Sequence, residues 1–370
     1  MEIAMKHFSE YGITSRAGGV EIHVEEISSR LVERGNNVTV YCRKSYCEEI
    51  KEIHKGINLK YIPSVNTKHL DAITYTFLAS IDAAIKNYDV VHYHALGPSL
   101  LSFIPRLFGK KVVCTVHGLD WQREKWGKLA KKVLKTGEIA TAKFPHKTIS
   151  VSESITKYYN KEYGNNTVFV PNGIDDKKNI DAIEITKKYG IERNEYILFL
   201  ARLVPEKGVH YLIDAYNKLN TNKKLVIAGG SSHSDDYVNK INEMAKDNPN
   251  IIMTGFVSGN ILEELFSNAY MYVLPSEIEG LPISLLEAMS YGNCCLVSDI
   301  EQNLEVIQSY GYSFENKNSD DLYDKLKELL ENEHKILGVK AKVKEYVNNK
   351  YNWDKVSDDT EIVYKALNNK

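Results

Sequence analysis

Two segments of this chain of 370 residues carry most of its chemical signal. In segment 200–209, LARLVPEKGV, Arg202 follows a short apolar run. Lys207 stands five residues later, directly before Gly208 and the start of a helical pattern. That arrangement aims two cations and a helix N-terminus at one place, which suits a diphosphate. The alternative is a surface loop that happens to be basic. In segment 275–289, PSEIEGLPISLLEAM, Glu279 lies just before a helix expected to start near Pro282, a position that proline favours. Glu287 lies about five residues into that helix, roughly 7–8 Å along its axis. Carboxylates accept hydrogen bonds from sugar hydroxyls, so two at this spacing suit two parts of one elongated ligand. The same pair also reads as a glutamate stabilised near a helix N-terminus and an exposed helical glutamate. Spacing alone leaves both readings open.

Weaker signals accompany these. The segment RAGGVE, 16–21, places Gly18 and Gly19 at the opening of an amphipathic helix. Paired glycines there let the backbone approach an anionic ligand, or simply make a tight turn. The GxGxxG spacing of nicotinamide-binding folds is absent. VVHYH (90–94) and VHGLD (116–120) place histidines just past strand ends, where open α/β sheets bind ligands. His117 and Asp120 are therefore pocket residues by position. His92 and His94 alternate along one strand, which reads as packing against neighbours. No closed ligand set for zinc is visible in the sequence, and no Asp-x-Asp argues for an obligatory divalent ion. Glu277-x-Glu279 mimics one inside the carboxylate segment.

The elements that must position these residues follow from periodicity. Short apolar runs alternate with helical patterns from end to end. The runs include 89–93, 111–116, 147–151, 167–170, 196–201, 224–228, 251–254, 270–274 and 294–297. Val20, Val24, Ile27 and Leu31 share one helical face; Leu212, Ala215, Tyr216 and Leu219 share another. Strongly apolar strands alternating with helices imply parallel sheets covered on both faces. The alternation breaks at 171–190, which is polar and rich in turn formers. The expectation is α/β: two Rossmann-like domains, residues 1–175 and 176–350, with a terminal helix at 351–370.

Composition narrows the function classes. The hydrophobic fraction of 43% and charged fraction of 26% are ordinary for a globular protein. A net charge of −2 argues against a general nucleic-acid binder. Five cysteines without a CxxC pair point to a reducing compartment, so the expected location is cytoplasmic. The first residues lack the apolar core of a signal peptide, and no run of about 18 apolar residues occurs. The charge is unevenly divided. Residues 1–175 hold 24 basic and 18 acidic residues, and 176–370 hold 23 and 31. Lys125, Lys128, Lys131, Lys132 and Lys135, interleaved with Trp121, Trp126, Leu129 and Val133, give 121–147 the pattern of a helix that lies on an anionic membrane. A solvated helix face gives the same pattern.

Taken together, GGVE, VVHYH, TVHGLDWQREKWGK, VPNGID, LARLVPEKG, PSEIEGLPISLLEAM and YNWDKV resemble, in order, the motifs of the retaining GT-B glycosyltransferases of family 4. The resemblance spans nearly the whole chain. It implies two domains facing a cleft, with the terminal helix crossing back to the first. It also implies transfer of a sugar from a nucleotide diphosphate sugar to a glycan or lipid-linked acceptor, as in cell-surface polysaccharide synthesis. A UDP-sugar is the favoured donor, with GDP- and dTDP-sugars as alternatives, and no metal is required. Catalytic roles would fall on His117, at the transferred sugar, on Arg202 and Lys207, at the diphosphate, and on Glu279, at the sugar hydroxyls. Gly18 and Gly19 would line the donor phosphate, Gly280, Leu281, Pro282 and Ile283 would form a turn whose backbone N–H groups meet phosphate, and Glu287 would bind ribose. Arg16 and Asp120 would lie on the acceptor side. YGITSRAGG at 11–19 departs from the RGIPARYGG common in the nearest subgroup, which bears on the acceptor. Two other readings share the diphosphate grip: a nucleotide-sugar epimerase and a non-catalytic binding subunit.

Overall fold

A computed structural model describes residues 1–6, 18–44, 50–65, 71–123, 126–164, 167–232 and 234–368. The chain divides into two compact units, Met1–Gly173 with Trp353–Lys370, and Ile174–Asn352. The expected boundaries, after 175 and 350, lie two residues from these breaks.

The first unit is built on β1 (Glu2–Lys6), β2 (Asn37–Arg43), β3 (Ile53–His54), β4 (Ile57–Ile62), β5 (Val90–His94), β6 (Lys111–Val116), β7 (Lys147–Ser150) and β8 (Val168–Phe169). Their order is β3-β4-β2-β1-β5-β6-β7-β8, parallel except for the β3–β4 pair. Alternation along each strand feeds two cores. Ile3, Met5, Val40, Val90 and Val113 pack with Val24, Ile27 and Leu31 of helix Gly19–Glu33. Ala4, Tyr41, Val91 and Val112 face the opposite way, onto Tyr75, Ala79 and Ala83 of helix Asp71–Ile85. The short runs called from sequence mark β5 to β8 within a residue or two. β1, β2 and β4 complete the sheet.

Helix Trp353–Asn368 belongs to this first unit. It adds Trp353, Val356, Val363 and Tyr364 to the core under helix Gly19–Glu33. Gly173 lies so close to Trp353 that a Cβ there would come within 2.6 Å of the indole. The glycine of VPNGID is thus the seat for the tryptophan of YNWDKV.

The second unit carries β9 (Tyr196–Leu200), β10 (Lys224–Ala228), β11 (Ile251–Gly255), β12 (Met271–Leu274), β13 (Cys295–Ser298) and β14 (Tyr312–Phe314). The order is β11-β10-β9-β12-β13-β14, wholly parallel. Its strands are apolar on both faces because helices cover both faces. Vicinal Cys294 and Cys295 are buried free thiols in this core, and Cys42 and Cys114 are buried in the other; Cys47 lies outside the described residues.

Trp353 is almost wholly buried and joins the two ends of the first unit's chain. Trp353→Ala is expected to cost about 3–5 kcal/mol in urea denaturation. A loss below about 1 kcal/mol contradicts this role.

Candidate functional site

In the second unit the loops after β9 and β12 meet because those strands are neighbours. Gly208 takes φ +67° and its missing Cβ would stand 2.0 Å from the Pro275 carbonyl oxygen. Only glycine permits that approach. The Glu277 N–H donates to the Glu206 carbonyl at 2.9 Å, stitching the two loops together. As a result Lys207 reaches Glu279 and forms an ion pair with it, across 72 positions of sequence. Both side chains are largely enclosed, at 14% and 9% exposure.

Arg202 leans the other way. Its guanidinium donates to Ser232 Oγ at 3.4 Å, in the loop after β10. The β9 loop therefore extends a cation toward each neighbouring strand's loop. Helix Ile283–Ser290 begins one residue after Pro282, which acts as its N-cap residue. Leu281, Pro282 and Ile283 are buried, and Gly280 and Glu287 are half-buried. Tyr272 ties this helix to β9: its phenol donates to the Leu200 carbonyl at 3.1 Å and meets Ser284 Oγ at 3.0 Å. Burial pushes that phenol's pKa up, so it stays a neutral donor. Free N–H groups at a helix start attract anions. Two cations, a helix N-terminus and two carboxylates thus stand at one carboxyl edge. That combination can hold an anion and hydroxyl groups in one ligand.

Sequence reasoning missed several supports of this site. Glu277 accepts from Tyr211 at 2.9 Å and pairs with Lys317 at 2.7 Å, so it anchors the loop and is no metal-type partner of Glu279. The Glu206 carboxylate is buried without a hydrogen-bond partner among the described residues. Glu206, Ser232 and Tyr272 carry no spacing signal, because tertiary contacts alone create their roles.

In the first unit, histidines gather at the carboxyl edge. His92, read as a packing residue, is fully buried, with Tyr364 OH at 2.6 Å and Thr115 Oγ1 at 2.7 Å. His94, read the same way, is also fully buried and packs on the His92 ring, and in addition its Nδ1 lies 3.1 Å from His117 Nε2. A side chain at the last residue of a strand can reach past the edge, which alternation does not register. His23, not singled out by sequence, completes the group. Its Nδ1 lies 2.8 Å from Asn172 Oδ1, and burial lowers its pKa to about 4. His23, His94 and His117 form the one constellation, among the described residues, able to hold a metal ion. A linear motif search could not find it, since the three lie on different elements.

Gly18 precedes helix Gly19–Glu33 as its N-cap residue, and Gly19 is exposed. Asp120 opens a short 3-10 turn and pairs with Arg123 at 3.0 Å. Arg16, with the rest of 7–17, lies outside the described residues, as does Lys125.

Two Rossmann-like parallel-sheet units are the architecture of the GT-B glycosyltransferases. The model of the family described as Glycosyltransferase Family 4 matches residues 17–178, and that of Glycosyl transferases group 1 matches 181–353. The chain belongs to this family of glycosyltransferases. It is 26% identical to an uncharacterised glycosyltransferase of Methanocaldococcus jannaschii over 94% of both chains. It is 30% identical, over 59% of each chain, to the UDP-Gal:alpha-D-GlcNAc-diphosphoundecaprenol alpha-1,3-galactosyltransferase of Escherichia coli. The fold matches sucrose-phosphate synthase from Thermosynechococcus elongatus with a TM-score of 0.88, at 16% identity and covering 99% of each chain.

The approach of Gly208 to Pro275 generates a stability test. Gly208→Ala adds a left-handed-backbone penalty of about 1–2 kcal/mol to a clash with a backbone carbonyl. The expected result is a lowered thermal unfolding midpoint; an unchanged midpoint contradicts the close approach.

Proposed function

We propose that this glycosyltransferase moves a sugar, with retention, from a nucleotide diphosphate sugar to a lipid-linked or glycan acceptor of a cell-surface polysaccharide. The observation that carries the donor reading is the Lys207–Glu279 ion pair, on the same β9 loop that carries Arg202 toward Ser232. A diphosphate offers Lys207 a stronger anionic partner than one carboxylate does. Glu279 then turns its oxygens to sugar hydroxyls, which it can only accept from. Arg202, Lys207 and the helix that follows Pro282 stabilise the charge that develops on the departing diphosphate. A leaving diphosphate oxygen takes the acceptor's proton on the face it vacates, which retains configuration without a protein base. Glu287 is assigned to ribose, Gly18 and Gly19 to phosphate, and His117 to the sugar, on the family resemblance. Uridine is the favoured base, supported by the UDP-Gal donor that the E. coli relative is named for. That relative's diphosphoundecaprenol acceptor supports a lipid-linked one here.

We assign the membrane approach to the first unit. Helix Asp71–Ile85 exposes Ile73, Phe77, Ile81 and Ile85 in an i, i+4 stripe, with Leu78 beside it. Phe103, Leu107 and Phe108 are exposed in the short helix Phe103–Leu107 and its C-cap, which packs against helix Asp71–Ile85. Phe103 touches Phe144, and Arg106 donates to the Pro145 carbonyl at 2.9 Å, linking this segment to the end of helix Lys128–Lys143. That helix exposes Lys128, Leu129, Lys132 and Val133. Apolar side chains rimmed by lysines suit an anionic lipid surface. Lys135 is excluded from the lipid-facing set. It pairs with buried Glu138 at 2.7 Å and lies over the Trp121 ring. No helix among the described residues is long and apolar enough to cross a membrane.

Three experiments test these readings. Arg202→Ala and Lys207→Ala should each lower transfer about a hundred- to a thousandfold with the fold intact. Near-normal turnover in both removes the diphosphate assignment. Glu279→Ala should damage use of the donor sugar more than binding of the nucleotide, measured by titration calorimetry. In vesicle sedimentation, neutralising Lys128, Lys131 and Lys132 should weaken binding to phosphatidylglycerol vesicles about a hundredfold. Phe77→Asp with Ile81→Asp should weaken it as well. Binding unaffected by either change, or by removing the anionic lipid, overturns the membrane reading.

A further inference from the structure

The three imidazoles of the first unit come from separate elements: His23 from helix Gly19–Glu33, His94 from the end of β5, His117 just past β6. His23 and His94 are buried, and His117 is half-buried. Each offers one ring nitrogen, and these atoms all lie within 4.8 Å of one another. The ring centres are 4.6, 5.5 and 5.4 Å apart. A tetrahedral ion held at about 2.0–2.1 Å by three imidazole nitrogens sets the ring centres about 5 Å apart and the nitrogens a little over 3 Å apart. The 3.1 Å separation of His94 Nδ1 and His117 Nε2 already has that value.

The surroundings favour ligation over a plain polar network. An amide oxygen only accepts, so His23 Nδ1–H donates to Asn172 Oδ1 at 2.8 Å and Nε2 keeps its lone pair. Metal-ligating histidines are oriented in this way by a hydrogen bond from the nitrogen that does not ligate. Asn172 is itself held in place, since Gly173 is wedged against Trp353. His92 cannot compete for an ion, because both its nitrogens are occupied by Tyr364 and Thr115.

We propose that His23, His94 and His117 form a binding site for one divalent transition-metal ion of the zinc class. Imidazole is the ligand such ions share, and three of them leave one coordination position for water or a ligand oxygen. The open position lies on the side of His117, the ring that solvent reaches. The ion replaces the proton that otherwise sits between His94 and His117. With Nε2 on the ion, the remaining His117 nitrogen, Nδ1, must carry its proton and becomes a fixed donor. The site shares His117 with the sugar assignment above and stands apart from the diphosphate and membrane readings, and nothing in its test depends on transfer activity.

The untagged full-length chain, stripped with a chelator and kept free of nucleotide, would be titrated with cobalt(II) chloride at neutral pH. The expected result is visible d–d absorption of four- or five-coordinate cobalt that saturates at one equivalent and is abolished by zinc. His23→Gln and His94→Gln should each lose the band, while His210→Gln, in the second unit, keeps it. Circular dichroism establishes that each variant is folded. X-ray absorption of the zinc-loaded native chain provides a readout that needs no variant: about three imidazole nitrogens at 2.0–2.1 Å are expected. No band from the folded native chain at excess cobalt overturns the proposal and leaves His94 and His117 as a proton-sharing pair. A band that persists in both variants, or a zinc shell without imidazoles, overturns it equally.

Discussion

The second unit depends on one short-range constraint, the contact between the loops that follow β9 and β12. Parallel strands covered on both faces leave polar groups nowhere to go except the sheet's two edges. At the carboxyl edge, the place of β12 next to β9 puts the ends of two distant segments side by side. The Glu277 N–H to Glu206 carbonyl bond and the bare α-carbon of Gly208 under Pro275 then set their separation to that of touching backbones. The ion pair of Lys207 with Glu279 follows from this separation. So does the placing of Arg202 toward Ser232, since the same loop must leave β9 and return to helix Val209–Tyr216.

The first unit applies a related rule to buried polar groups. Most buried side chains that can hydrogen-bond find a partner. His92, His23 and Glu138 meet this demand largely with residues from other elements of the chain. Tyr364 of the terminal helix serves His92, and Asn172 serves His23. Trp121, Lys135, Tyr158 and Tyr163 converge on the Glu138 carboxylate. Two motifs that look like loop punctuation, VPNGID and YNWDKV, are therefore structural: one supplies Asn172 and Gly173, the other the Trp353 that packs on that glycine. The terminal helix closes the core that β1 begins.

Legibility followed physical signal strength. Strands with continuous apolar runs, such as KVVCTV and KLVIA, were readable to the residue, because burial on both faces removes polar interruptions. β4, INLKYI, mixes exposures at the side of the sheet and gave no such run. β14 has three residues, too few for a period to show. The helical faces of Val24, Ile27 and Leu31, and of Leu212, Ala215 and Tyr216, were legible because helices bury one stripe. The basic helix was legible as a pattern, yet sequence could not separate Lys135, drawn in by Glu138, from Lys128 and Lys132, which face solvent. Asp120 was placed correctly past a strand end, but its pairing with Arg123 depends on a local turn.

Residue type and order determined that this chain would make two parallel α/β layers and carry cations and carboxylates at strand ends. Those properties are local: burial periodicity, helix-starting proline and glycine, and side-chain charge all act within a few residues. Tertiary structure alone decided which of these groups meet. It joined Lys207 to Glu279, turned Arg202 to Ser232, and gathered His23, His94 and His117 around one point. Such meetings depend on strand order and on close backbone approach. Strand order is a property of the whole sheet, and no spacing along the chain encodes it.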